Sequence, residues 1–190
     1  MGKFLLRRIQ SSNLREVLSA AGPTYIDHFL YISEESSREC PHRLSFPVSI
    51  KAFSVKHLSG VDGIDQRLTP HRLAYIVFYF GQIIHQSWVY LDAVMPAQFK
   101  FDSRVPLIGD SYTDAMYRGH GIFPYALNYI LKDLKDRQIS DKAYMLVSPA
   151  NDASIRGVEK AGFELLAHLR GTRLLGFIMN KSIQRVPEAA

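Results

Sequence analysis

A single cysteine, Cys40, removes two architectures from this 190-residue chain at once. It has no partner for an internal disulfide, and one thiol cannot build a cysteine metal site. Beside Pro41 in a polar stretch it reads as a bystander rather than a nucleophile. Long apolar runs are missing too. The longest, around Leu73 to Phe80, is strand-sized and rich in β-branched and aromatic residues, far short of a membrane span. A large excess of one charge is missing as well: the net charge is only +5, and Lys and Arg are scattered rather than gathered into a stripe. That excess suits a small anionic ligand, while nucleic acid and membrane are not expected partners. The start, Met1-Gly2-Lys3, lacks the apolar region of a secretion signal. Leu6 stands where a myristoylation signal needs Ser or Thr, so a cytoplasmic protein is the expectation.

What is present is the composition of an ordinary globular protein, 47% hydrophobic and 22% charged, at a length that favours one domain, 1–190. Lys3 to Ile9 reads as a strand, and Ser12 with Asn13 caps a short helix ending near Gly22-Pro23. From Thr24 to Cys40 the mixed aromatic spacing followed by a polar Ser-Glu-Glu-Ser-Ser run predicts helix, then loop. Leu44 to Val55 alternates as a strand, and 59–70, with two glycines and a proline, is a long loop. Leu73 to Phe80 and Ile83 to Asp92 form a hairpin around Gly81-Gln82, followed by a connector at Val94 to Val105.

The remainder is better organised. A strand, Leu107 to Tyr117, leads through Arg118-Gly119-His120-Gly121-Ile122-Phe123 into a helix, Pro124 to Arg137. Glycine allows a sharp backbone turn, and proline suits the first helical turn, where its missing N–H costs nothing. Such a turn presents unpaired N–H groups and the positive end of a helix dipole, which suits a pyrophosphate. It equally fits a tight strand-to-helix connection that binds nothing. Strand Ala143 to Val147 follows, broken by Ser148-Pro149-Ala150. Asn151 or Asp152 then caps a helix that Gly162 stops, and strands Phe163 to Leu169 and Arg173 to Asn180 turn around Arg170-Gly171-Thr172. The order implies an α/β (α+β) fold: a mixed, mostly antiparallel sheet with helices on both faces.

Tyr117-Arg118-Gly119-His120-Gly121-Ile122 resembles the acyl-CoA signature of the GNAT acyltransferase superfamily, an Arg or Gln, two residues, then Gly. Asn151 to Phe163 is similar to that superfamily's second motif, with its Asn, its small residue Ser154 and its terminal Gly162-Phe163. In a narrower likeness, Thr113 to Pro124 resembles a branch often tied to surface-polysaccharide genes, which includes N-acyltransferases acting on nucleotide-linked amino sugars; Ala115 replaces that branch's Pro. The resemblance is firm over about 107–180, the acyl-CoA half, and topological over about 1–106, the acceptor side.

The resemblance implies an acyl-CoA-dependent N-acyltransferase, with acyl-CoA as co-substrate and a small-molecule primary amine as acceptor. Attack would be direct, in a ternary complex. Two parallel strands, 107–117 and 143–148, would splay to admit the pantetheine arm, with Pro149 denying a ladder donor just past the split. Backbone near Met116 would pair with pantetheine amides. The N–H groups of Gly119, His120, Gly121, Ile122 and Phe123 would hold the pyrophosphate, with Arg118 nearby. Asn151 and Ser154 would meet the cofactor, unless Asn151 only caps its helix and Ser154 only packs.

The usual acid and base of the family are missing. Val158 stands where many relatives carry Tyr, and Gly109 and Leu107 where others carry a Glu or His that serves as general base. Among strand residues, His85, Asp110, Tyr112 and Asp114 are the candidates for catalysis. Tyr75, Tyr79, Trp88 and Tyr90 supply aromatic faces for an acceptor or for the core, and Arg67, His71 and Arg72 lie in or beside the long loop. A non-catalytic CoA-binding module, action on another small amine or a protein N-terminus, and a homodimer all stay open.

Overall fold

The computed structural model describes residues 22–33, 44–61 and 63–187. The first strand and helix expected from Lys3 to Gly22, the polar run and Cys40 lie essentially outside the described residues. The strands are β1 (Thr24–Ser33), β2 (Ser49–Phe53), β3 (Arg72–Tyr79), β4 (Gln82–Tyr90), β5 (Leu107–Thr113), β6 (Ala143–Val147), β7 (Glu164–Leu174) and β8 (Phe177–Arg185). Helices α1 (Val94–Gln98), α2 (Ile122–Asp136) and α3 (Asp152–Lys160) connect them.

All eight strands join one sheet in the order β2-β3-β4-β5-β6-β1-β7-β8. Every neighbouring pair is antiparallel except β5 and β6. Helix α2 lays Leu127, Ile130 and Leu134 on one face against Tyr75, Val89, Ile108 and Met145, and Val158 of α3 joins the same cluster. Phe99, which follows α1, packs on the other face with Leu30, Tyr144 and Leu169. Helices therefore cover both faces, as the element order implied. No helix among the described residues is long and apolar enough to cross a membrane.

Three expectations need correction. Thr24 to Ser33 is not helix but strand. It stands between β6 and β7 with Ile26, Leu30 and Tyr31 all but inaccessible, so an N-terminal segment completes the half of the sheet that holds β6, β7 and β8. Two-sided burial of an interior strand erases the polar-apolar alternation that would have marked it. The last hairpin does not turn at Gly171. Strand β7 runs through that residue at a register shift, because the Ile178 side chain and the Met179 carbonyl fill the space a Cβ would need. Its turn is Leu175-Gly176, both in the left-handed region. Finally, β5 stops at Thr113. Asp114 caps a tight 3₁₀ turn, Ala115–Tyr117, by accepting from the Met116 N–H at 2.9 Å.

The middle hairpin forms as expected but turns one residue earlier, at Phe80-Gly81 rather than Gly81-Gln82, again both left-handed, the geometry of a two-residue type I′ turn. Loop 59–70 is tied by one carboxylate: Asp65 accepts from the Ser59 N–H and hydroxyl, each at 2.7 Å, and from the Gly60 N–H at 2.9 Å.

Candidate functional site

The parallel pair β5–β6 is joined only at its beginning. Leu107 pairs with Tyr144 and Ile108 with Met145, while the Tyr144 N–H donates to the Pro106 carbonyl at 2.8 Å. Beyond those rungs the two strands part. β5 stays bonded to β4 and β6 to β1, so each keeps a partner on its outer side while the inner edges diverge. The result is a fork with backbone donors and acceptors along its arms.

At the tip of the β5 arm the chain turns through Gly119 (φ 81°) and Gly121 (φ 77°). Both sit in the left-handed region, open to glycine and costly for most other residues. Below this turn the amides are consumed locally: Met116 N–H by the Asp114 carboxylate, Tyr117 N–H by the Asp114 carbonyl, Arg118 N–H by the Ala115 carbonyl. Above it, the first helical bond is Tyr125 N–H to the Gly121 carbonyl at 3.1 Å. Among the described residues, nothing in the protein accepts from the N–H groups of Gly119, His120, Gly121, Ile122 or Phe123. Five successive free donors at the N-terminus of α2, a helix of 15 residues, make a cradle for an oxyanion.

The surrounding side chains hold that cradle in place. Ile122 is buried against Val77, Ile84 and Ala126. Phe123 lies over Gly157 of α3, where even a Cβ would come within 2.6 Å of its ring. Arg118 is exposed at the rim, its Nε donating to the Thr113 carbonyl at 3.0 Å and its guanidinium 5.5 Å from the Tyr112 ring centre. His120 is exposed and stacks edge-on with Phe46. Met116 is exposed, but its N–H is taken, so only its carbonyl is left for a ligand. Asn151 caps α3 by accepting from the Ser154 N–H at 3.0 Å.

The four residues singled out for catalysis fare differently. Asp114 is committed to its turn. Asp110, at φ 46°, pairs with Arg67 and accepts from the Tyr90 hydroxyl at 2.7 Å. Tyr112 is exposed beneath Arg118 and open to a ligand. His85 is 1% exposed and cannot itself touch a substrate amine. Its Nδ1 lies 2.7 Å from Thr113 Oγ1 and its Nε2 2.8 Å from Ser87 Oγ, which is 2.8 Å from Ser111 Oγ. Ser87, Ser111 and Thr113 were not among the candidates. Their sequence signal is that His85 and Ser87 on β4, and Ser111 and Thr113 on β5, are each two apart and so share a face.

Burial lowers the His85 pKa to about 4, with no charged group to offset it. The folded value lies below the ordinary histidine value, so the unfolded chain takes up this proton first as pH falls. Stability is therefore expected to drop between about pH 6.5 and 4 by on the order of 3 kcal/mol, and His85→Gln should flatten that slope. Urea midpoints against pH would check this. A His85→Gln slope equal to the wild-type slope would refute it.

Trp88 is buried beneath the Arg67 guanidinium, 4.3 Å from the ring centre, and Arg72 lies 4.8 Å from the Tyr90 ring centre. Tyr75 is a core residue whose hydroxyl donates to Asp133 of α2 at 2.7 Å.

No protein-family model matches the chain, nor does any curated protein sequence. Solved structures do. A GNAT-family acetyltransferase from Colwellia psychrerythraea superposes with a TM-score of 0.53 at 12% identity, over 85% of this chain and 61% of that one. The fold is that of the GNAT acetyltransferases. A GCN5-related N-acetyltransferase from Kribbella flavida gives 0.52 at 16% identity, over 80% of this chain and 60% of that one. A GCN5-related N-acetyltransferase-like protein from Streptococcus suis 89/1591 gives 0.50 at 13% identity, over 86% and 67%. The chain thus spans about 60% of the length of the first two. In this GNAT-like sheet, β5 and β6 are the forked pair and α2 carries the cradle.

Proposed function

We propose that the chain is an acyl-CoA-dependent N-acyltransferase that moves an acyl group from coenzyme A to a primary amine. The observation that carries this reading is the cradle of five free amides, 119 to 123, at the end of a fork. An extended arm that starts at the cradle and follows the unpaired edge of β5 reaches the irregular stretch at Asp110. Arg118 adds charge at the phosphate end, and half-buried Ser154 on α3 borders the other arm. Holding both reactants in line lets a neutral amine attack the thioester directly in a ternary complex.

The acceptor we favour is an amino sugar linked to a nucleotide. Support comes from the Arg67 and Arg72 guanidiniums and the Tyr90 ring, gathered beside Asp110 on β5. A CoA-binding module without turnover is the second reading. It is favoured by the burial of Val158 in the core, which leaves no acid at that helix position.

Calorimetry with CoA, followed by thiol release from acetyl-CoA with a panel of amines, separates the readings. Tight binding without release on any amine favours the module. Arg118→Ala is expected to weaken CoA binding about tenfold, the loss of one charge-assisted contact, with an unchanged thermal midpoint. Unaltered affinity would remove the cradle assignment.

A further inference from the structure

The hydroxyl–imidazole chain beneath the fork has no part in holding the sheet that an apolar residue could not play better. Ser87 is fully buried, His85 is 1% exposed, and both stand on a strand whose other inward residues are Ile84, Trp88 and Val89. A buried polar chain is costly unless every member is satisfied. Here each member is satisfied by the next, from Thr113 through His85 and Ser87 to Ser111. The chain also reaches the surface at a particular place. Opposite Ser87 the ladder slips: Gln86 pairs with Tyr112 and Trp88 with Gly109, so Ser87 alone faces both Asp110 and Ser111. This is a bulge, the irregularity that re-aims a side chain. Ser111 is half-buried on it, past the last rung joining β5 to β6.

We infer that Ser111 is the group that meets the acceptor amine, and that Ser87 and His85 carry the amine's proton away from it. This rests on the acyltransferase reading above. The donors run in one direction: Ser111 O–H to Ser87 Oγ, Ser87 O–H to His85 Nε2, and His85 Nδ1–H to Thr113 Oγ1. That order leaves a Ser111 lone pair facing the fork. As the N–C bond forms and the C–S bond breaks, the amine proton passes to Ser111 Oγ, the Ser111 proton to Ser87 Oγ, and the Ser87 proton to Nε2. The departing thiolate takes a proton from water, and the imidazolium returns its proton through Ser87 and Ser111 to water in the fork, because the ring itself is 1% exposed. Ser111 is the catalytic residue in this scheme; Ser87 and His85 act through it.

Two measurements test the relay. In the intact chain with ¹⁵N-labelled histidine, the His85 ring should carry its proton on Nδ1, and Ser87→Ala should change the Nε2 shift. A proton on Nε2 overturns the relay whatever the activity. With acetyl-CoA and glucosamine, spermidine or a short peptide as amine, Ser111→Ala should lower kcat about 100-fold at unchanged KM for acetyl-CoA. Ser87→Ala, which touches no substrate, should do the same. Wild-type thiol release that both variants preserve overturns the relay alone. No release by the wild type with any of these amines overturns the acyltransferase reading and the relay with it.

Discussion

Gly121→Val is expected to lower CoA affinity about 100-fold while the chain still folds. Gly121 is the N-cap of α2 at φ 77°, ψ 11°. A β-branched side chain disfavours that conformation by about 1–2 kcal/mol, so the turn relaxes toward negative φ. There is room for the new atoms, since the nearest side-chain atom to an added Cβ is Leu44 Cδ2 at 3.9 Å. The damage therefore falls on where the amides point rather than on packing. Misdirecting one or two charge-assisted bonds, at roughly 1.5–3 kcal/mol each, gives the hundredfold figure. Calorimetric titration with CoA checks it. Gly176→Val is the control: it is equally left-handed, at φ 85°, but lies in the β7–β8 turn away from the fork. It should cost stability and leave affinity alone. Equal affinity losses in the two variants would mean that strain, not the cradle, is being read.

Removing residues 1–33 is expected to abolish cooperative folding, although it leaves both sequence motifs untouched. Strand β1 pairs with β6 from Phe29 to Ser33 and with β7 from Thr24 to Ile32, and Leu30 is wholly buried in the core on the Phe99 face while Tyr31 is buried on the α2 face. Its loss opens two strand edges in the middle of the sheet and strips one side of the fork's β6 arm. Leu30→Ala, a milder version, should cost about 2–5 kcal/mol. Thermal and urea unfolding by circular dichroism would report both. A truncated chain that melts cooperatively at the wild-type midpoint would show that β1 is dispensable.

These two expectations mark a boundary in what could be read from residues alone. The glycine turn, Pro124, the Asn151 cap and the Gly162 stop are local signals: each specifies its own backbone within a few residues. They place α2, β6 and α3 almost to the residue. The Asp114 turn that shortens β5 is local as well, but a side-chain cap inside an alternating run looks like one more strand residue until the φ and ψ angles are known. At Gly171, the assumption that glycine means a turn failed because here it means close approach, with Ile178 occupying the absent Cβ.

By itself the sequence determined which segments fold as helices between residues 107 and 180, that a glycine turn leads into the first of them, and that no acid occupies position 158. Only the tertiary structure decided that β1 fills the slot between β6 and β7, that the β5–β6 pair opens after Ile108, and that His85 is linked through Ser87 to Ser111. The physical reason is range. Turn and cap preferences act within a few residues, whereas strand neighbours, register and buried hydrogen bonds join residues far apart in the chain and exist only once the sheet has closed around them.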